Sequence, residues 1–250
     1  MAITIKSERE IELMAEAGKI LERVHNELEK ALHPGMSTKD IDTLGEKIIR
    51  SYGCIPSFLN YNGYPASICV SVNQEVVHGI PDKHRIIHEG DIVSLDAGVI
   101  YKGYHSDAAR THAVGEVSEE AKKLIQVTKE CFFEGIKYAK AGNHLFDISG
   151  AIGRYAEERG YGVVRDLCGH GIGTALHEAP EIPNYEVGRK GVKLRPGMTL
   201  AIEPMINIGT YEVDWLDDDW TVVTEDGSLA AHYENTILIT DGEPEILTMY

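Results

Sequence analysis

The sequence predicts an α+β fold of two related halves, each a pair of helices followed by antiparallel strands, with the helices covering a curved sheet. Three observations lead there. Helix-period apolar stripes come in pairs, around residues 7–53 and 118–160, and strand-like runs follow each pair. Sliding the chain against itself by 107 residues sets Gly35 on Gly142, Asp40 on Asp147, Ile41 on Ile148, Gly53 on Gly160, Gly90 on Gly197 and Asp96 on Glu203. Single glycine matches are common by chance, but six positions at one offset indicate a duplicated unit. Finally, acids stand within or beside apolar strand-like runs: "DIVSLDAGV" carries Asp96, "MTLAIEPMI" carries Glu203 and "HYENTILIT" carries Glu234.

In chain order, Ser7 and Glu10 read as a capping box before a helix with apolar positions Met14, Ala17, Leu21, Val24 and Leu28. Gly35 closes that unit. A second helix starts at Ser37 to Asp40 and passes through Ile41, Leu44 and Ile48 to Gly53. Strands are expected at 65–73 and 91–112. The second half repeats the scheme, with a helix from about Ser118 to Ala139, another from about Phe146 to Arg159 stopping at Gly160, and strands at 161–167 and 198–240. A further echo, at an offset of 99, sets "VHGIP" at 77–81 against "LHEAP" at 176–180, so that His78 and His177 each stand three residues before a proline. Two offsets mean that the halves differ by loop insertions. No Ser/Pro-rich linker or low-complexity stretch divides them. Residues 1–250 therefore read as a single domain, with repeat halves at approximately 7–112 and 114–240.

Composition excludes several classes. With 43% hydrophobic and 26% charged residues over 250 positions, the chain is an ordinary globular one able to bury a large core. A net charge of −16 argues against a general nucleic-acid surface, which needs a basic face. Cys54, Cys69, Cys131 and Cys168 are scattered without C-x-x-C spacing, which disfavours a structural zinc ribbon and makes each a small core residue. The N-terminus lacks an apolar signal core, and no run approaches ~18 apolar residues, so neither export nor a membrane is expected. The expected location is the cytoplasm, with free thiols.

Asp96 and Asp107 flank "AGVIYKGYHS", where Lys102-Gly103 suits a tight hairpin turn. A two-residue turn there pairs residues whose numbers sum to 205, so Asp96 faces Ala109 and Asp107 faces Gly98. Both acids then emerge on one face as diagonal neighbours, ~7–8 Å apart at Cα. Like charges that close repel unless one is protonated or a cation lies between them. A carboxylate in a half-buried strand costs several kcal/mol, on the order of the penalty for any unpaired buried charge, unless it is paired or coordinated. A shared cation accounts for Asp96, Asp107, Glu203 and Glu234 together, and four carboxylates with one imidazole form a hard, oxygen-rich donor set. The imidazole is His170 in "CGHGIG", whose glycines allow close backbone approach. A lone histidine in such a stretch is ordinarily a loop residue, but His177 follows seven positions on. Glu203 precedes Pro204 and is thereby held extended. Between Glu203 and Glu234 the second hairpin carries a 20-residue insertion relative to the first, containing "YEVDWLDDDW". Asp217, Asp218 and Asp219 read as a solvated turn, and Trp220 as an inward-packing residue. His78 and His177 are surplus to the ligand set and suited to donating hydrogen bonds to a substrate carbonyl.

The order Asp96, Asp107, His170, Glu203, Glu234, together with "NGYPASICVSVNQEVVHGIP", "GHGIGTALHEAPEIPNY" and "PGMTLAIEPM", resembles the type I methionine aminopeptidases of the pita-bread metallopeptidases. The resemblance covers nearly the whole chain. It implies the pita-bread fold and two divalent ions (Co, Mn, Fe or Zn) held by those five residues, with Asp107 and Glu234 bridging. It further implies removal of the N-terminal methionine from nascent proteins and peptides, with a small second residue preferred. A metal-activated hydroxide would attack the first peptide bond, Glu203 moving the proton and His78 and His177 polarising the amide. The methionine pocket maps to Tyr61, Tyr64, Cys69, His78, Leu176, His177 and Trp220; relatives often carry an aromatic residue where this chain has Leu176. The implied partners are peptide or nascent-chain N-termini, with transient association at the ribosome, and the implied state is a monomer. X-Pro peptidases of the same fold rank second, because they usually carry an extra N-terminal domain and the first helix here begins by about Ser7. A metal-free binding protein or a metal store would leave the full ligand set, or the two histidines, without a purpose.

Overall fold

The helices form where the apolar stripes place them: α1 (Glu8–Ala31) and α2 (Thr38–Ser51) in the first half, α3 (Glu119–Ile136) and α4 (Leu145–Glu157) in the second. The structure, a computed structural model, describes residues 3–249, so Met1, Ala2 and Tyr250 of the expected 1–250 domain lie outside the described residues. The backbone N–H of Ser7 donates to Glu10 Oε2 at 2.8 Å, and that of Ser37 to Asp40 Oδ2 at 2.9 Å while Ser37 Oγ accepts from Asp40 N–H. These bonds satisfy amides that a helix start leaves open. The α1 stripe of Met14, Ala17, Leu21, Val24 and Leu28 is buried. α3 ends at Ile136, short of Ala139, because the amides of Tyr138 and Ala139 turn back onto Gly135 and Ile136. α4 starts one residue early, with His144 as its cap and the His144 N–H held by Asp147 Oδ2.

The strands are β1 (Ile55–Pro56), β2 (Ile68–Val72), β3 (Glu75–Val77), β4 (Ile92–Tyr101), β5 (Tyr104–Ala113), β6 (Gly162–Val163), β7 (Gly169–Gly171), β8 (Glu178–Ile182), β9 (Thr199–Ile202), β10 (Met205–Asn207), β11 (Val213–Trp215), β12 (Val222–Thr224), β13 (Ala230–His232), β14 (Asn235–Leu238) and β15 (Glu245–Ile246). The first half's sheet runs β1-β4-β2 with β5 on β4, and the second half's runs β15-β14-β9-β7-β8. Every ladder is antiparallel. The expected strand at 161–167 shrinks to β6, and a separate strand, β7, carries His170. The 198–240 region breaks into six strands. The long insertion forms the β11–β12 hairpin, which pairs with β3 of the first half.

The duplication is visible in the backbone. Gly35 and Gly142 share φ of 93° and 95°, and isolated bridges join Ser37 to Ile86 and His144 to Lys193, again 107 residues apart. The two sheets meet along a seam between β5 and the segment opening β14. Ala109 N–H donates to Glu234 O at 3.3 Å, and Glu234 N–H to Ala109 O at 2.9 Å. Asp107 N–H donates to Thr236 Oγ1, whose hydroxyl returns to Asp107 O, both at 2.9 Å. Separate apolar layers back each half: Leu21, Ile49, Ile68 and Leu95 under α1 and α2, and Leu124, Phe132, Ile148, Ile202 and Ile237 under α3 and α4.

Candidate metal centre

Lys102 and Gly103 make the β4–β5 turn with φ of 50° and 89°, the left-handed values a tight hairpin requires. Asp96 consequently lies opposite Ala109, and Asp107 opposite Gly98. On its other side Asp96 neighbours Cys69 of β2. In the second half Asn235 stands opposite Ile202, and one further step of that register sets Glu203 against Glu234. His170 sits in β7 opposite Ala201. Its flanking glycines make the position possible: a Cβ on Gly169 would lie 2.4 Å from Ala201 O, and one on Gly171 2.2 Å from Ala179 O.

These strands gather all five expected residues on one cavity of about 190 Å³. His170 Nε2 lies 3.5 Å from Glu203 Oε1 and 3.9 Å from Asp107 Oδ2. Asp107, His170 and Glu234 each offer a ligand atom within 4.8 Å of the others. His170 Nδ1 is 2.9 Å from Gly171 O. A carbonyl only accepts, so Nδ1 carries the proton and Nε2 turns its lone pair toward the carboxylates. Lone pair and carboxylates repel unless a cation or a proton stands between them.

The electrostatics make the same demand. Burial, then the Asp107 and Glu203 charges, pushes Asp96 well above the ordinary carboxylate range. Burial and Asp107 do the same to Glu203, and burial with Asp107, Glu203 and Asp96 to Glu234. Burial raises Asp107 to about 7 and lowers His170 to about 3. Asp96 Oδ1, Asp107 Oδ1 and Glu234 Oε1 are buried without a hydrogen-bond partner. Buried oxygens of that kind call for an explanation. A divalent cation supplies one, because the donor set of carboxylate oxygens and one neutral imidazole suits hard or borderline ions.

The remaining expected residues, Tyr61, Tyr64, Cys69, His78, Leu176, His177 and Trp220, line the same cavity. Tyr61 OH lies 2.7 Å from His177 Nδ1, and the His177 ring meets that of His170 edge-on at 4.2 Å. Trp220 packs edge-on to Tyr64 at 5.1 Å, whose hydroxyl donates to Gly79 O at 2.9 Å. Asp218 accepts from the Trp220 and Thr221 amides, so this member of the acidic turn also shapes the hairpin that presents Trp220. His78 has a φ of 60°, a strained value for histidine, and burial lowers it to about 4.

Sequence reasoning missed Phe58, Asn62, Val77, Leu167, Cys168 and Met205, which complete the cavity wall. It also missed His232, 2% exposed, whose Nε2 is 3.9 Å from Glu234 Oε2. Its signal was its place two residues before Glu234, the same side of an alternating strand. Arg110, whose guanidinium bonds Glu234 O and Asn235 Oδ1 across the seam, carried no signal.

The class this fold and site define is a metallopeptidase: residues 12–241 match metallopeptidase family M24, and the chain belongs to that family. Among its relatives, a methionine aminopeptidase of Clostridium acetobutylicum is 60% identical, with 99% of each chain covered. Methionine aminopeptidase 1 of Bacillus subtilis is 50% identical over 98% of this chain and 99% of its own. The crystal structure of a Thermotoga maritima methionine aminopeptidase superposes with a TM-score of 0.97 at 47% identity, covering both chains fully. An Xaa-Pro dipeptidase from Bacillus anthracis superposes with a TM-score of 0.79 at 28% identity, but this chain spans only 62% of it. The fold is accordingly the pita-bread arrangement of α+β class.

Proposed function

We propose that this protein is a metal-dependent methionine aminopeptidase that removes the N-terminal methionine from peptides and nascent chains, preferring a small second residue. The observation that carries the reading is the joining of one orphaned carboxylate cluster to a small, aromatic-walled cavity. Asp96, Asp107, His170, Glu203 and Glu234 would hold two divalent ions, of Co, Mn, Fe or Zn. The ions supply Lewis acidity and an activated water at neutral pH.

The chain's own residues do the rest. Tyr64, Cys69, Leu176 and Trp220 enclose the methionine side chain and exclude water from it. The cation-loaded carboxylate cluster would anchor the free α-amine, which would confine cleavage to the first peptide bond. His78 and His177, both lowered by burial, stay neutral and donate to the scissile carbonyl. Glu203 accepts a proton from the attacking water at its carboxylate and returns it to the leaving amine. The chain acts as one domain, residues 1–250, as a cytoplasmic monomer working transiently beside the ribosome. Among the described residues no helix is long and apolar enough to cross a membrane.

The test is to reconstitute the purified protein separately with Mn²⁺, Fe²⁺ and Co²⁺ and offer Met-Ala-Ser and Ala-Pro-Ser. Free methionine from the first peptide alone is expected. Alanine from the second alone would move the protein to the X-Pro branch, and silence on both would overturn the peptidase reading.

A further inference from the structure

Lys6 is the one lysine in the buried class among the described residues, and it lies far from the carboxylate cluster in sequence. Its main-chain N–H donates to Gly197 O at 2.8 Å, and Ile3 packs against the core under α3 and α4. The N-terminal segment is thus nailed along the turn that leads into β9. From there the Lys6 side chain, 5% exposed, reaches Glu178 Oε2 at 2.6 Å, and Glu178 is itself only 11% exposed. Thr4 Oγ1 donates to the same oxygen at 2.6 Å. Burial pushes the Glu178 carboxyl up, but the bonds from Lys6 and Thr4 outweigh it and hold it below the usual range, so it stays ionised.

Glu178 follows His177 directly and closes the loop that presents it. Its other oxygen, Oε1, accepts the N–H of Ala175 at 3.3 Å, and Gly173 N–H donates to Ala175 O at 3.1 Å. The loop is packed against the lysine: a Cβ on Gly173 would lie 2.5 Å from both Glu178 Oε1 and Lys6 Cε. Gly173 O in turn accepts from His105 N–H of β5 at 2.8 Å. One largely enclosed carboxylate therefore ties the N-terminal segment to the turn carrying Leu176 and His177, and a ring on a short loop moves with the turn that holds it.

We propose that Lys6, acting through Glu178, is a positioning residue for His177, so that the N-terminal segment before α1 belongs to the catalytic apparatus. This rests on the role given above to His177. A displacement of about 1 Å in a positioned group can cost on the order of a hundredfold in rate. An independent structural contribution would act equally whether or not His177 is present, whereas a positioning contribution disappears with the ring it positions.

The experiment is a double-mutant cycle on metal-reconstituted enzyme hydrolysing Met-Ala-Ser. Wild type, Lys6→Met, His177→Ala and the double variant are compared well below the lowest melting temperature, with kcat expressed per metal-loaded chain. Lys6→Met is expected to lower kcat at least tenfold with KM within about twofold, the pattern of a group acting in the transition state. In the His177→Ala background the same substitution is expected to change kcat less than twofold. An equal loss in both backgrounds, or no loss in a folded Lys6→Met enzyme, would overturn the proposal while leaving the role of His177 intact. Undiminished activity of His177→Ala would instead overturn that role, and this proposal with it. Should Lys6→Met fail to fold, Glu178→Gln carries the same cycle with the same two readings.

Discussion

Replacing Asp107 with asparagine in the metal-free protein is expected to stabilise it, although the same change should abolish activity. Asp107 is 4% exposed, and burial raises its carboxyl from 3.8 to about 7. A raised carboxyl contributes stability that is fully present below pH 3.8 and is lost as pH climbs to about 7. At 1.36 kcal/mol per pH unit, the loss reaches about 2 kcal/mol at pH 5 and about 4 kcal/mol at pH 8. Asparagine never ionises and escapes it. For a chain of this size, 1 kcal/mol moves the melting temperature by roughly 2–4 °C. The chelator-treated variant should therefore melt roughly 8–16 °C above wild type at pH 8, with a smaller gain at pH 5. Adding Mn²⁺ or Co²⁺ should then raise wild type and leave the variant nearly unmoved, since ligation couples to deprotonation and to folding. A variant that melts below wild type at pH 8 without metal would refute the reasoning, because the carboxylate would then be serving structure. So would a metal-induced rise equal to that of wild type.

Gly171→Ala brings a Cβ within 2.2 Å of Ala179 O, so β7 and β8 must part and His170 must shift. Overpacking of this kind costs about 1–3 kcal/mol, and a lower denaturant midpoint together with weaker metal binding by titration would check it. Trp220→Ala removes the edge-on partner of Tyr64 and one wall of the cavity. The expected outcome is a rise in KM for Met-Ala-Ser of about tenfold with kcat and metal affinity little changed, the signature of lost uniform binding; an unchanged KM would remove Trp220 from the pocket.

What could be read ahead of the structure was whatever local chemistry decides. The Lys102-Gly103 turn fixes its own register, so the facing of Asp96 with Ala109 and Asp107 with Gly98 followed from arithmetic on the chain. The starts of α1 and α2 followed from Ser7 with Glu10 and from Ser37 with Asp40, and the duplication from glycines that a left-handed turn demands at matching positions. What escaped depends on pairings between distant segments. No local signal says that the β11–β12 hairpin adds to β3, a partner nearly 150 residues earlier, yet that pairing brings Trp220 to Tyr64. The strand around His170 is three residues long and full of glycine, so its conformation is imposed by β8 and β9. Lys6 looked like any exposed lysine near a chain start, and only the fold buries it. Arg110 likewise gains its meaning from a carbonyl 124 residues away.

The β5–β14 seam has a consequence for how the molecule is made. Of the five proposed ligands, Asp96 and Asp107 come from one side of the seam and His170, Glu203 and Glu234 from the other. Chains emerge from synthesis N-terminal part first, and long-range strand pairing is among the slower folding events. A nascent or prematurely terminated chain that stops before Glu234 lacks the backbone partners of Ala109 as well as the last acid. Hydrolytic competence would therefore need both sides of the seam: fragments that end before Glu234 and singly folded halves hold an incomplete set of the proposed ligands.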